Sequence, residues 1–305
     1  MKPKCRICGA DESYQSIKAD FVYGGEKFHN FWFCNKCKIV YLFPTLSVEE
    51  EASFYKKEFE KFMSSRSGAE RDWSGAKEHI RTNQDQVARR WKFLEQHVEQ
   101  GMDILEIGCS SGFMLNKFRD CRMNCTGIEP SGEFLQFLKE NGHNAFPDIS
   151  SMKQKRQGKF DLIVHFFVLE HIRNPFNFLK ESYNILKPGG KIIAEVPCIN
   201  DPLTSVYNIP AFEKFYWSIA HHYYYSPESI SYIIEKLGFQ YELMPEQRYD
   251  LSNHMVWMQE GKPGGQERYN TIFSPELNDK YMNELKNKWL CDTVLIVITK
   301  DKETF

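Results

Sequence analysis

The chain has 305 residues, 42% of them apolar, and a formal net charge of −2: room for one large domain or two unequal ones, and no general attraction to nucleic acid. No stretch reaches the ~18 unbroken apolar residues of a membrane helix, and the opening Met1-Lys-Pro-Lys-Cys-Arg-Ile-Cys8 has no hydrophobic signal region. A cytoplasmic protein without a membrane span is therefore expected, and its nine cysteines, an odd number among reduced thiols, are not expected to form disulfides.

Four of those cysteines are spaced for metal. Cys5-x-x-Cys8 and Cys34-x-x-Cys37 each put two thiolates on one tight turn, and two such turns complete a tetrahedral zinc site. Four thiolates leave no open coordination position, so the ion is structural. The aromatic segment from Phe21 to Phe33, broken at Gly24-Gly25, reads as a hairpin, and Cys37-Lys-Ile-Val-Tyr-Leu-Phe-Pro44 as a last strand. Residues 1–45 are thus read as a small zinc-ribbon-like module. The other five cysteines (Cys109, Cys121, Cys125, Cys198 and Cys291) lack ligand spacing and read as core or strand residues.

Residues 46–100 read as a helical linker or lid. Ser47 caps a helix with acids in its first turn that runs to about Phe62. A polar Ser/Gly-rich connection covers 64–75. One long amphipathic helix then spans Ala76 to Glu99, with Ile80, Val87, Trp91, Leu94 and Val98 on a single face.

From residue 101 strands and helices alternate, which implies a doubly wound α/β sheet. The first unit is Asp103-Ile-Leu-Glu-Ile-Gly-Cys-Ser-Ser-Gly-Phe113: a short apolar strand, a small-residue turn and a helix start. Such a turn suits a nucleotide-like ligand, with exposed amides aimed at it and side chains absent where it must approach. The pyrophosphate pattern G-x-G-x-x-G fails, because Ser110 and Phe113 occupy its second and third glycine positions. Glu106, Gly108 and Gly112 instead resemble motif I, E-x-G-x-x-x-G, of the class I S-adenosylmethionine-dependent methyltransferases. Strand Cys125-Thr-Gly-Ile128, ending in Glu129, and Phe160-Asp-Leu-Ile-Val-His-Phe-Phe-Val-Leu-Glu-His-Ile-Arg-Asn-Pro175 are similar to later motifs of that family. The Leu186-Lys-Pro-Gly-Gly190 turn and strand Lys191-Ile-Ile-Ala-Glu-Val196 follow in the same order.

The resemblance implies a seven-stranded Rossmann-like methyltransferase domain over 101–305, binding S-adenosylmethionine and releasing S-adenosylhomocysteine. It places Glu106, Gly108, Cys109, Ser110, Gly112 and Phe113 around the cofactor and Glu129, followed by Pro130, on the ribose hydroxyls. Asp148, after a short strand at Ala145-Phe146, is a candidate for the adenine amino group, and His165 and Phe166 for the methionine or methyl end. Residues Lys153 to Arg156 read as a solvated basic loop. A last strand, Asp292 to Thr299, is expected antiparallel between the fifth and sixth. Glu170-His171 resembles part of a divalent-ion motif in ubiquinone-pathway O-methyltransferases, whose further Glu is Phe167 here. The pair therefore reads as tying down the following helix, and no second metal is expected.

Two insertions are expected to face the substrate, at about 198–225 and 250–290. In the first, Tyr207, Phe212, Phe215, Tyr216, Trp217, His221, His222, Tyr223 and Tyr224 crowd together. Ring faces with polar edges suit a sugar. His221-His-Tyr-Tyr-Tyr-Ser-Pro-Glu228 resembles an element of sugar methyltransferases in which a histidine faces the acceptor as general base. Carried over, it points to His222, with His221 beside it and Tyr216 and Tyr224 as orienters. Bacterial sugar and glycan methyltransferases also share the N-terminal cysteine module. The resulting expectation is methyl transfer to a small or glycan-linked acceptor, foremost a (nucleotide-)sugar hydroxyl or carbon in polysaccharide biosynthesis, with no nucleic-acid partner. An RNA-base methyltransferase and a non-catalytic cofactor-binding scaffold are the alternatives; the methylated atom and the oligomeric state stay open.

Overall fold

Short segments on either side of the second cysteine pair begin the first sheet of the computed structural model, which describes residues 2–57, 75–155 and 158–302. Strands β1 (Gln15–Ala19), β2 (Asn30–Cys34) and β3 (Val40–Phe43) pair antiparallel in that order, with Phe31 opposite Leu42 and Trp32 opposite Tyr41. The expected hairpin is therefore wider than its aromatic stretch, and Gly24-Gly25 lies in the connection. Helix α1 (Val48–Lys57) starts on a capping box: Ser47 Oγ accepts from Glu50 N at 3.1 Å, and Glu50 Oε2 accepts from Ser47 N at 2.7 Å. The remainder of that helix and nearly all of the 64–75 connection lie outside the described residues.

The single helix expected from Ala76 to Glu99 is two, α2 (Ala76–Thr82) and α3 (Gln84–Leu94). Asn83 separates them: its side chain donates to the His79 carbonyl at 2.8 Å, a local bond that competes with helix continuation. The alternation then proceeds through β4 (Asp103–Ile107), α4 (Phe113–Asp120), β5 (Asn124–Ile128), α5 (Gly132–Glu140) and β6 (Asn144–Phe146). Next come α6 (Ile149–Lys155), β7 (Phe160–Phe166), α7 (Pro175–Asn184) and β8 (Leu186–Pro197). Lys153 and Lys155 are thus helical, where a loop was expected.

Beyond β8 the chain forms α8 (Pro202–Ser205), α9 (Pro210–Tyr216), β9 (Tyr223–Tyr224), α10 (Pro227–Leu237) and β10 (Gln240–Glu246). Helices α11 (Leu251–Glu260) and α12 (Pro275–Asn287) precede β11 (Thr293–Thr299). The large sheet has seven strands in the order β10-β11-β8-β7-β4-β5-β6. β4 is parallel to β5 and β7, and β5 to β6. Gly189 N bonds Lys300 O while Cys198 N bonds Asp292 O, so β11 runs antiparallel to β8, between it and β10 as expected.

The chain divides into two compact units: Met1–Leu46 with Leu169–Phe176 and Glu195–Ile296, and Ser47–Val168 with Asn177–Ala194 and Val297–Phe305. In the first, β9 adds itself to β3, with Val40 opposite Tyr224 and Tyr41 opposite Tyr223. The segment 198–225 therefore supplies the fourth strand of the cysteine module's sheet. Among the described residues no helix is long and apolar enough to cross a membrane.

Candidate active site

In the second unit the chain after β4 bends through a turn in which Gly108 (φ +73°), Ser110 (φ +51°) and Gly112 (φ +83°) are all left-handed. A side chain could not replace either glycine: a Cβ at Gly108 would lie 2.5 Å from Val168 Cγ2, and one at Gly112 2.6 Å from Leu138 Cδ2. The amides, however, are not aimed outward as the sequence reading held. Gly108 N and Cys109 N both donate to Ile128 O, Gly112 N donates to Cys109 O, and Ser110 N donates to Glu129 Oε2 at 2.6 Å. The cradle thus works by leaving space.

Glu129, at the end of β5, also accepts from Ser131 N at 2.8 Å. Its carboxylate ties the turn to the start of α5. Pro130 beside it is exposed. Glu106, inside the sheet, is buried; burial pushes its carboxyl up to about 8, Arg90 pulls the other way and Glu129 adds to the rise. Cys109 is buried and its thiol is pushed up, again chiefly by burial. Phe113 opens α4 with its ring 5.7 Å from the His79 ring.

Two residues missed in the sequence complete this half. Arg90 of α3 is 9% exposed, its guanidinium 4.3 Å above the Phe166 ring and 5.4 Å from that of Phe113. His79 of α2 shares a 2.8 Å hydrogen bond between Nδ1 and Ser111 Oγ, and burial, with Arg90 nearby, lowers it to about 4. The signal was present: Arg90 falls between Val87 and Leu94 on the apolar face of a helix read as scaffold. The other expected contacts separate. Phe166 meets Arg90, but strand alternation sends His165 inside against Phe178, 0% exposed, and burial drops it to about 3. Asp148 is exposed and caps α6, accepting from Ser151 N at 2.7 Å and Ser151 Oγ at 3.0 Å.

In the first unit the four thiols of Cys5, Cys8, Cys34 and Cys37 converge within 4.8 Å of one another. Cys5–Cys37 and Cys8–Cys34 sulfurs are 3.6 Å apart, close to the ~3.8 Å edge of a tetrahedron with Zn–S bonds of ~2.3 Å. Gly9 and Lys38, the residues after each pair, take φ +70° and +59°, and their amides donate to Cys5 O and Cys34 O. Gln15, held by Tyr41 Oη at 2.9 Å, points its amide nitrogen at Cys34 Sγ, 3.7 Å away. The donor set fits a closed structural zinc ion.

The aromatic segment does not line an open surface. Tyr216, Trp217, Tyr223 and Tyr224 are buried. Tyr216 Oη donates to Cys198 O, Tyr223 Oη to Arg173 O, and Tyr224 Oη to Tyr216 O. The two histidines diverge. His222, 5% exposed, has Nδ1 3.5 Å from Arg6 Nη1, whereas the His221 ring lies 4.7 Å from that of His171, at 88°.

A turn of this shape, an acid closing the next strand and the seven-stranded order give a Rossmann-like fold of the kind methyltransferases have. Residues 78–243, more than half of the chain, match the family described as "Methyltransferase domain", and the chain belongs to that family. It is 32% identical over 117 residues to a tRNA U34 carboxymethyltransferase of Pseudoalteromonas translucida, covering 35% of this chain and 36% of that protein. It is 26% identical over 110 residues to a ubiquinone biosynthesis O-methyltransferase of Coxiella burnetii, covering 34% and 47%. The chain thus spans between about a third and a half of the length of these curated relatives. The solved structure of the plantazolicin methyltransferase BpumL in complex with SAH matches in fold, with a TM-score of 0.50 and 13% identity over 83% of this chain and 94% of that one.

The chain thus joins a domain of the methyltransferase family to a four-cysteine cluster that suits structural zinc. Neither curated relative is named for a sugar, so the expected sugar specificity has no support in them. The first relative's name also sets a nucleic acid against the expectation of none.

Proposed function

We propose that the chain transfers a methyl group to a hydroxyl of a small molecule. The observation that carries the cofactor half is the left-handed turn at Gly108, Ser110 and Gly112, closed by Glu129. When bound, S-adenosylmethionine supplies a methyl already activated by its sulfonium. Glu129, at the end of β5 and bonded to the turn through Ser110 N, is assigned to the ribose hydroxyls. Arg90 supplies a buried cation for the methionine carboxylate, and Phe113 and Phe166 wall the site. Asp148 and His165, each explained by its own packing, are left out of this set.

On the acceptor side, His222 is assigned to take the hydroxyl proton, with Glu170 O holding its backbone amide at 2.8 Å. Tyr216 and Tyr224 act one step back, by packing the segment that presents the histidines. A hydroxyl acceptor accords with the O-methyltransferase among the relatives and with the net charge of −2. The sugar reading is not retained, because most of the rings that motivated it are buried. A tRNA base is the second reading, favoured by the name of the first relative.

S-adenosylhomocysteine release measured against a panel of small phenols and alcohols, and separately against bulk tRNA, decides between the two. His222→Ala should lower turnover on the accepted substrate by at least about tenfold, the low side of general-base effects, without changing S-adenosylhomocysteine affinity. Turnover on tRNA alone would reject the small-molecule acceptor, and undiminished turnover in the variant would reject the base.

A further inference from the structure

A second group of metal-ligating side chains lies in the first unit, and the reading above does not use it as a unit. Glu170, His171 and His221 bring one carboxylate oxygen and two imidazole nitrogens within 4.8 Å of one another. Glu170 and His171 sit in the 3-10 turn Leu169–His171, and His221 comes from the segment ahead of β9. Hydrogen bonds clamp the two stretches together: His171 Nδ1 donates to Ala220 O at 2.8 Å, His222 N to Glu170 O at 2.8 Å, and Tyr225 Oη to Leu169 O at 3.1 Å. The first of these fixes the tautomer. Because a carbonyl only accepts, the proton in that bond is on His171 Nδ1, the arrangement by which an outer partner orients a ligating histidine. Glu170 is 1% exposed and His221 7%.

We propose that Glu170, His171 and His221 bind one divalent transition-metal ion, distinct from the ion of the four cysteines. Bonds of about 2.0–2.2 Å place tetrahedral donors ~3.4 Å apart, so no separation need close by more than about 1.4 Å, within reach of side-chain rotation. Two imidazoles and one carboxylate favour Zn²⁺, Fe²⁺ or Co²⁺ over Mg²⁺ or Ca²⁺, which prefer all-oxygen sites. Three protein ligands leave at least one position for water or an oxygen of a bound molecule, unlike the closed thiolate site. Glu170-His171 looks incomplete in the sequence because Phe167 precedes it; the third donor arrives from beyond α7 and β8. The assignment does not rest on the acceptor reading above. It gives the neighbouring histidines separate roles, His221 on metal and His222 on a proton.

Cobalt titration of the full chain, free of any polyhistidine tag and carrying zinc on its cysteines, tests it. The expected result is one further equivalent of cobalt per chain, with the weak visible bands of nitrogen and oxygen coordination and no sulfur-to-metal charge transfer. His221→Gln and Glu170→Gln should each weaken that equivalent by at least about tenfold while S-adenosylhomocysteine affinity and cysteine-bound zinc stay unchanged. Should either fail to fold, His171→Gln, at a less buried position, gives the same reading, and X-ray absorption at the cobalt edge of the unmodified protein identifies the donors without any variant. No second equivalent at large cobalt excess overturns the proposal. So does a second equivalent indifferent to all three substitutions, or one with sulfur donors. The trio would then be a carboxylate–imidazole network satisfied by itself.

Discussion

Substitution of Glu129 separates what the acid does for the turn from what it does for the cofactor. A carboxylate has about four lone-pair sites, and backbone amides of Ser110 and Ser131 take two of them, at 2.6 and 2.8 Å. The proposed cofactor would add a pair of vicinal ribose hydroxyls as donors to the same carboxylate. Hydrogen bonds to a charged group contribute about 1.5–3 kcal/mol each, so Glu129→Ala should cost ~3 kcal/mol of binding at the low end, roughly a hundredfold in Kd. The same change strands two amides at a buried position, worth about 1–3 kcal/mol each in stability. Glu129→Gln keeps one acceptor oxygen and should fall between, near tenfold in affinity. Calorimetric titration with S-adenosylhomocysteine, on variants shown by urea unfolding to be native at the assay temperature, reads both quantities. A folded Glu129→Ala protein that binds within threefold of the parent would refute the ribose assignment and leave Glu129 as a clamp of the turn.

Arg90→Met should weaken S-adenosylhomocysteine by about tenfold yet leave methylthioadenosine, which lacks the carboxylate, unaffected, since one charge-assisted contact is removed; equal losses for both ligands would show Arg90 to be packing. Chelation of zinc, or Cys34→Ser, should release amide protection across 30–43 and also at 221–225, because Leu42 N donates to His222 O and β3 pairs with β9. Protection lost only within the first 45 residues would contradict that coupling. His165, His79 and His254 are held neutral by burial, at about 3, 4 and 4 against an ordinary 6.5. The unfolded chain therefore binds more protons below pH 6.5, and the stabilisation is complete above that pH and lost as pH falls toward 4 and 3. His165 alone accounts for about 2 kcal/mol between pH 6.5 and 5, so His165→Leu should shrink the acid-side loss in urea-derived stability by that amount. Comparing the two proteins cancels the opposite drift from Glu106 and Asp201, whose carboxyls burial raises to about 8.

The cofactor half was legible because its signals are local. A strand, a turn needing two residues without side chains and a helix start occupy eighteen consecutive positions from Asp103 to Asp120, and the knuckle spacing of the cysteines is equally short-ranged. Sequence reasoning erred where several groups compete for one partner. Nothing in the chain order says that Ile128 O takes the amides of both Gly108 and Cys109. Nor does it say that Asn83 will bond its own helix and divide it. Arg90 and His79 were overlooked because the helical stripe was judged by its apolar members; a cation inside such a stripe is costly to bury, and that cost marked it for use.

The segment 198–225 was hard to read for a different reason. A dense run of rings after a sheet strand has the same composition whether it lines a cavity or fills a core, and only long-range pairing distinguishes the two. The four-cysteine module is too small to bury much apolar surface by itself. Phe31 packs on Trp217 and Tyr224 at 5.4 and 5.1 Å, so the segment beyond β8 provides the core that the module lacks. Each buried ring removes about 150–250 Å² from water, and each tyrosine hydroxyl ends on a backbone carbonyl, which is how such rings are buried without loss. The pairing that does this also fixes the register of the preceding residues. With Tyr223 opposite Tyr41 and Tyr224 opposite Val40, His222 is set beside Arg6 and His221 against His171. A one-residue slip of β9 would exchange the two environments. The aromatic residues therefore act on the chemistry through register: they determine which histidine meets the carboxylate of Glu170 and which meets a guanidinium, a distinction that adjacency in the sequence conceals.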